Sequence, residues 1–154
     1  WWVCWLESNY LVFAEVRRLQ FEIMSKTTRD IQNRADIDVM VRAFYNRLLH
    51  DDRVSYLFED VKGEHLEEHF DILCDFWESV LFFIGQYKRN TMLKHLSLHD
   101  KHGLTSDHFE IWLGFFNETV DGLFTGEKSN LAKERAHSIA VIMQMKIKEM
   151  GQWK

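Results

Sequence analysis

Six of the eight histidines in 154 residues enter three groups of side chains whose types and spacing suggest different chemistry. The first is His65-Leu66-Glu67-Glu68-His69, a formal H-x-x-E-H zinc motif. Two histidines four apart share a helix face, and a glutamate can act as base beside a zinc-bound water. A zinc hydrolase also needs a third ligand and a cleft, which a small helical domain hardly provides. A five-residue match arises easily by chance in a histidine-rich chain. The second group is His95, His99, His102 and His108. Most of these read as solvated loop residues, but His95 sits in MLKHLSL among Leu93, Leu96 and Leu98. The third group is Tyr45, His69 and Trp112, each on the apolar stripe of a different helix and each with a polar tip. Buried polar tips need partners, because an unmet one costs about 1–3 kcal/mol. Three of them in one helical core indicate a polar pocket. With an aromatic wall of Phe44, Phe58, Phe70, Phe76, Trp77 and Phe116, such a pocket suits a flat apolar cofactor with one polar face, and haem is the natural candidate.

These residues need a frame of helices, and apolar residues recur at three and four from about residue 34 onward. The spacing predicts a helix over 36–49, with Ile37, Met40, Val41, Phe44 and Leu48 inward and Asp36 as N-cap. SYLFEDV reads as tight helical turns ended by Gly63. A second helix runs over 64–83 through Leu66, His69, Phe70, Leu73, Phe76, Trp77, Val80 and Leu81. Residues 84–106 read mostly as connection, with one short helix over 92–98. A long helix then carries Phe109, Trp112, Leu113, Phe116, Val120 and Phe124 until Gly126. The last, over 128–150, turns Leu131, Ile139, Ile142, Met143 and Ile147 inward. No segment alternates in the manner of a strand, so the class is all-α with about four main helices.

Residues 1–23 differ in style from the rest. They are apolar and aromatic, yet Glu7 and Glu15 interrupt any run of the roughly 20 apolar residues that spans a bilayer. Arg17 and Arg18 follow the apolar stretch, whereas a signal peptide places its charge first. MSKTTRD, beginning at Met24, looks like a protein start. The expected division is therefore an N-terminal extension over 1–23, a start-site artefact or an added helix, and one domain over 24–154. A net charge of −5 and a pI near 5.9 argue against a nucleic-acid partner, which needs a basic stripe. They also weigh against an anionic membrane surface. Two cysteines, Cys4 and Cys74, are too few for a disulfide framework, so a reducing cytoplasm is expected.

The runs DIQNRADIDVMVRAFYNRLL, DDRVSYLF, HFDILCDFWESVLF and YKRNTMLKHLSL stand in a familiar order. They precede LTSDHFEIWLGFFNETVDGLFTGEKSNLAKERAHSIAVIMQMKI, and the whole resembles the group III truncated haemoglobins over about residues 24–148. The most specific parts are Phe44-Tyr45, Phe76-Trp77, the interval from Tyr87 to His95, and His108-Phe109 followed by Trp112-Leu113. The resemblance implies a shortened globin, a two-over-two helical sandwich around one haem b. It implies His95 as the iron ligand, Tyr45 and Trp112 as distal donors to a bound diatomic, and His69 as the distal-helix histidine that gates access. Phe58, Leu73, Trp77 and Tyr87 would contact the haem. Two distal donors favour slow release, suited to chemistry, sensing or scavenging more than to rapid oxygen delivery.

The sequence also departs from that family. Arg89 and Thr91 stand for its usual Gly and Pro, Gly103 for a common Pro, and Ile111 for an arginine before Trp112. The expectation is a monomeric, cytoplasmic haem protein that binds dioxygen, nitric oxide and carbon monoxide. Nitric oxide dioxygenase or peroxidase chemistry would need an external reductase. The alternatives are the zinc hydrolase above and a haem-free helical interaction module.

Overall fold

A computed structural model describes residues 29–61, 63–84 and 91–151, with the backbone alone described at 61, 64 and 91–96. The described residues hold five α-helices: α1 (Arg34–Leu49), α2 (Leu66–Phe82), α3 (Thr91–His102), α4 (Ser106–Leu123) and α5 (Glu127–Gly151). Between α1 and α2 the chain makes two 3-10 turns, Ser55–Val61 and Gly63–His65. No strand occurs among the described residues. Helix α1 packs on α2 and α4, α4 also packs on α5, and α3 lies against α5. Two helix pairs, α1–α2 and α4–α5, thus form the expected sandwich. No helix among the described residues is long and apolar enough to cross a membrane. Residues 1–23 and Tyr87 lie outside the described residues.

The α1 stripe is buried as its spacing requires: Ile37, Met40, Val41, Phe44, Tyr45 and Leu48 all face inward. Its cap is not Asp36. Asn33 is the N-cap and accepts the Asp36 N–H at 3.1 Å. Asp36 sits one turn in, where its carboxylate accepts the Gln32 N–H at 2.9 Å and pairs with Arg29 at 2.7 Å. A carboxylate there faces the positive end of the helix dipole.

Helix α3 is longer than the spacing suggested. It continues through the charged HDKH segment to His102, because no breaker intervenes before Gly103. Gly103 takes a φ of 69° and returns its N–H to His99 O at 2.7 Å, a left-handed stop that a glycine adopts without strain. Helix α4 is capped by Thr105, whose backbone N–H is accepted by His108 Nδ1 at 3.0 Å.

Helix α5 corrects one expectation. Ile142 does not point inward; it is 48% exposed. The packed side runs through Ser129, Ala132, Ala136, Ala140 and Met143. Small side chains let α5 approach its neighbours closely, so the line of contact follows the alanines rather than the largest apolar residues. At its start, Asp30 accepts the N–H groups of Lys128 and Ser129 at 2.8 and 2.9 Å and the Ser129 hydroxyl at 2.7 Å. These bonds satisfy donors that an uncapped helix leaves open.

Candidate functional site between α1, α2 and α4

Tyr45 occupies the last turns of α1, on the side that meets α2. Its hydroxyl lies 2.7 Å from Nε2 of His69, which α2 supplies from its first turns. Burial pushes the Tyr45 phenol well above its usual range, so the hydroxyl keeps its proton. Three rings meet the tyrosine edge-on: Phe44 at 5.6 Å, Phe58 at 5.5 Å and Phe70 at 5.5 Å. These contacts fix the phenol ring and leave its polar tip as the variable element.

The third wall comes from α4. Trp112 stacks on Phe116 at 5.7 Å with an interplanar angle of 10°, and Trp77 of α2 stacks on the same ring at 4.9 Å and 19°. Phe44 stands edge-on to Trp112 at 5.5 Å and to Phe116 at 5.2 Å. Phe116 is almost wholly buried at the centre of this slab. The indole Nε1–H of Trp112 donates to no described residue, while its ring is held on two sides by aromatic neighbours.

Tyr45, His69 and Trp112 therefore belong to one aromatic layer, Tyr45 bonded to His69 and Trp112 joined to Tyr45 through Phe44. Phe58 lies directly against Tyr45. Leu73 is half-buried against the core, and Trp77 is buried in the slab with Phe116. His95 lies in α3 by its backbone, and its side chain is outside the described residues. One helical turn later, His99 Nδ1 is buried without a hydrogen-bond partner among the described residues.

The H-x-x-E-H residues do not gather into a metal site. His65 lies in an exposed 3-10 turn, Glu68 is exposed, and His69 is committed to Tyr45. Among the described residues, no three His, Cys, Asp or Glu side chains are grouped to hold a metal ion. His108 bonds Tyr56 at 2.9 Å and caps α4, and the His102 ring lies 5.7 Å from Tyr56, so both serve the 3-10 turn instead.

No protein-family model matches the chain. It is 28% identical over 122 residues to the group 3 truncated haemoglobin of Campylobacter jejuni, covering 77% of this chain and 94% of that protein. The crystal structure of a group III truncated haemoglobin from Campylobacter jejuni superposes with a TM-score of 0.70 at 26% identity, covering 79% of this chain and 95% of the other. The chain has the fold of a truncated globin. Its resemblance to group III extends through both sequence and architecture, across nearly the full length of these relatives. In this fold the aromatic slab of Trp77, Phe116 and Trp112 joins the two helix pairs, and the Tyr45–His69 bond closes the side between α1 and α2.

Sequence reasoning missed Arg42. It lies one turn before Tyr45 and binds Glu67 in α2 through both guanidinium NH2 groups, at 2.9 and 2.7 Å. The pair spans 25 positions, and each partner taken alone reads as part of a solvated face. Only the hydrophobic register of the two helices could have aligned them.

Proposed function

We propose that this protein is a haem-binding globin that takes up dioxygen, nitric oxide and carbon monoxide. One observation carries the reading. A buried tyrosine hydroxyl bonded to a histidine, and a tryptophan N–H with no described protein partner, share one aromatic layer in a truncated globin fold. That donor set fits the ligand side of a haem. The relatives named above are called haemoglobins, which agrees with it.

Haem b, when bound, supplies an iron whose open position takes a diatomic ligand. His95 would hold the iron from α3 through a neutral imidazole, its other nitrogen donating to a nearby acceptor. Phe58, Leu73, Trp77 and Tyr87 would line the flat faces and edge. Tyr45 and Trp112 would supply hydrogen-bond donors to the ligand, and His69 would stand at its approach.

Slow release from two donors suits scavenging or redox chemistry. Converting nitric oxide and dioxygen to nitrate consumes one electron per turnover, so that activity, like peroxide turnover, needs an external reductase. The remaining assignment is a cytoplasmic monomer. An absorption spectrum of protein from cells supplied with a haem precursor tests the reading, recorded before and after dithionite and carbon monoxide. A Soret band that shifts with carbon monoxide is expected. A colourless chain that also refuses added hemin would refute it.

A further inference from the structure

Helix α2 begins without a side-chain cap: His65 holds the N-cap position with no capping hydrogen bond. The turns before it are 3-10, and Gly63 adopts a φ of 76°. This uncapped first turn carries His69. What holds it comes from α1. Arg42 donates from its two NH2 groups to the two Glu67 carboxylate oxygens, at 2.9 and 2.7 Å. Its Nε donates to Asp38 one turn earlier, at 2.8 Å. The guanidinium also covers the Phe70 ring, 4.9 Å from its centroid. Phe70 in turn stands edge-on to Tyr45 at 5.5 Å. Arg42, Phe70, Tyr45 and His69 thus form one continuous contact chain from the surface to the distal pocket.

We propose that Arg42 is a positioning residue for ligand access, holding the first turn of α2 so that the Arg42–Glu67 clamp sets how fast small ligands pass His69. The proposal rests on the haem reading above. A bidentate guanidinium–carboxylate pair anchored by a second carboxylate and a ring has the geometry that makes a surface ion pair effective. It is also open to solvent, Arg42 being 43% and Glu67 70% exposed, so salt reaches it. The Debye length falls from about 10 Å at 0.1 M to about 3 Å at 1 M. Carbon monoxide is uncharged, so salt cannot steer it. Any salt dependence of its uptake reports on the protein.

The test compares haem-loaded wild type, R42Q, E67Q and the double variant by flash photolysis of carbon monoxide and by dioxygen release. The R42Q variant should take up carbon monoxide about two- to fivefold faster, the span of an exposed charge pair. Dioxygen release should quicken by the same factor, because a lowered barrier speeds passage both ways and leaves affinity unchanged. The double variant should match the single ones. Raising salt from about 0.1 to about 1 M should speed uptake by wild type and leave R42Q unchanged. Amide exchange in residues 70–73, whose partners are the carbonyls of residues 66–69, should accelerate in R42Q. Unchanged uptake in R42Q, or faster release without faster uptake, would overturn the proposal while leaving the haem reading intact. A chain that takes up no haem would overturn both.

Discussion

The Tyr45 hydroxyl and Nε2 of His69, 2.7 Å apart, make a bond in which either partner can donate. If the imidazole accepts, the phenolic proton is spent on it and only an acceptor faces the pocket. If the imidazole donates, the phenolic proton is free for a ligand. Protonated His69 can only donate, so acidification turns Tyr45 toward the ligand. Dioxygen release should therefore be slower once acid has protonated His69. The same pH series on Tyr45→Phe should be flat, and stopped-flow release kinetics would show whether it is.

Removing the distal donors tests their contribution directly. Tyr45→Phe and Trp112→Leu should each speed dioxygen release, by about tenfold for every 1.4 kcal/mol of hydrogen bonding lost. Release rates that do not move in either variant would count against both donors.

His95→Ala should lose stable haem, seen as a weakened or displaced Soret band in purified protein. An unchanged spectrum would remove His95 as the iron ligand.

Acid should weaken the protein through Asp36. A hydrogen bond from Arg29 outweighs burial and holds its carboxyl below the usual carboxylate range, with the Gln32 and Asn33 N–H groups adding to it. Because the folded value lies below the unfolded one, this stability is present above the ordinary carboxylate pKa. It is lost as the pH falls through the lower, folded value. The melting temperature of wild type should drop between about pH 5 and pH 2, and Asp36→Asn should start lower and depend less on pH.

The cap of α5 gives a further stability test. Asp30→Ala should cost about 1–2 kcal/mol, the upper part of the range for a helix cap, or about 2–8 °C in melting temperature. Gly126→Ala should be comparably harmful, because a Cβ there would run into the Asp30 carboxylate. Calorimetry of both variants would decide it.

The sequence exposed most of what apolar spacing controls. In α1 the stripe from Ile37 to Leu48 is buried, and Tyr45 and His69 stood out because polar tips sat on apolar stripes. Spacing failed where size and charge mislead. Ile142 reads as core but faces water, since Ala136 and Ala140 allow the closer approach on the other side of α5. The charged end of α3 reads as loop, yet Lys101 pairs with Asp60 of the 3-10 turn at 2.7 Å and the helix persists to Gly103. Asp36 looked like a cap because cap residues and first-turn acids are the same types; Asn33 takes the position instead. The Arg42–Glu67 clamp depends on a helix–helix register that no local pattern encodes.

Asp30 meets Lys128 and Ser129 across separations of 98 and 99 residues. Bringing such distant points together costs loop entropy before the contact returns anything, so the intervening helices must already be packed. Asp30→Ala should therefore raise the unfolding rate and hardly change the folding rate, read by stopped-flow chevrons. Contacts absent from the folding transition state act on the unfolding rate and hardly on the folding rate. Asp30 is thus a latch on the lifetime of the native state.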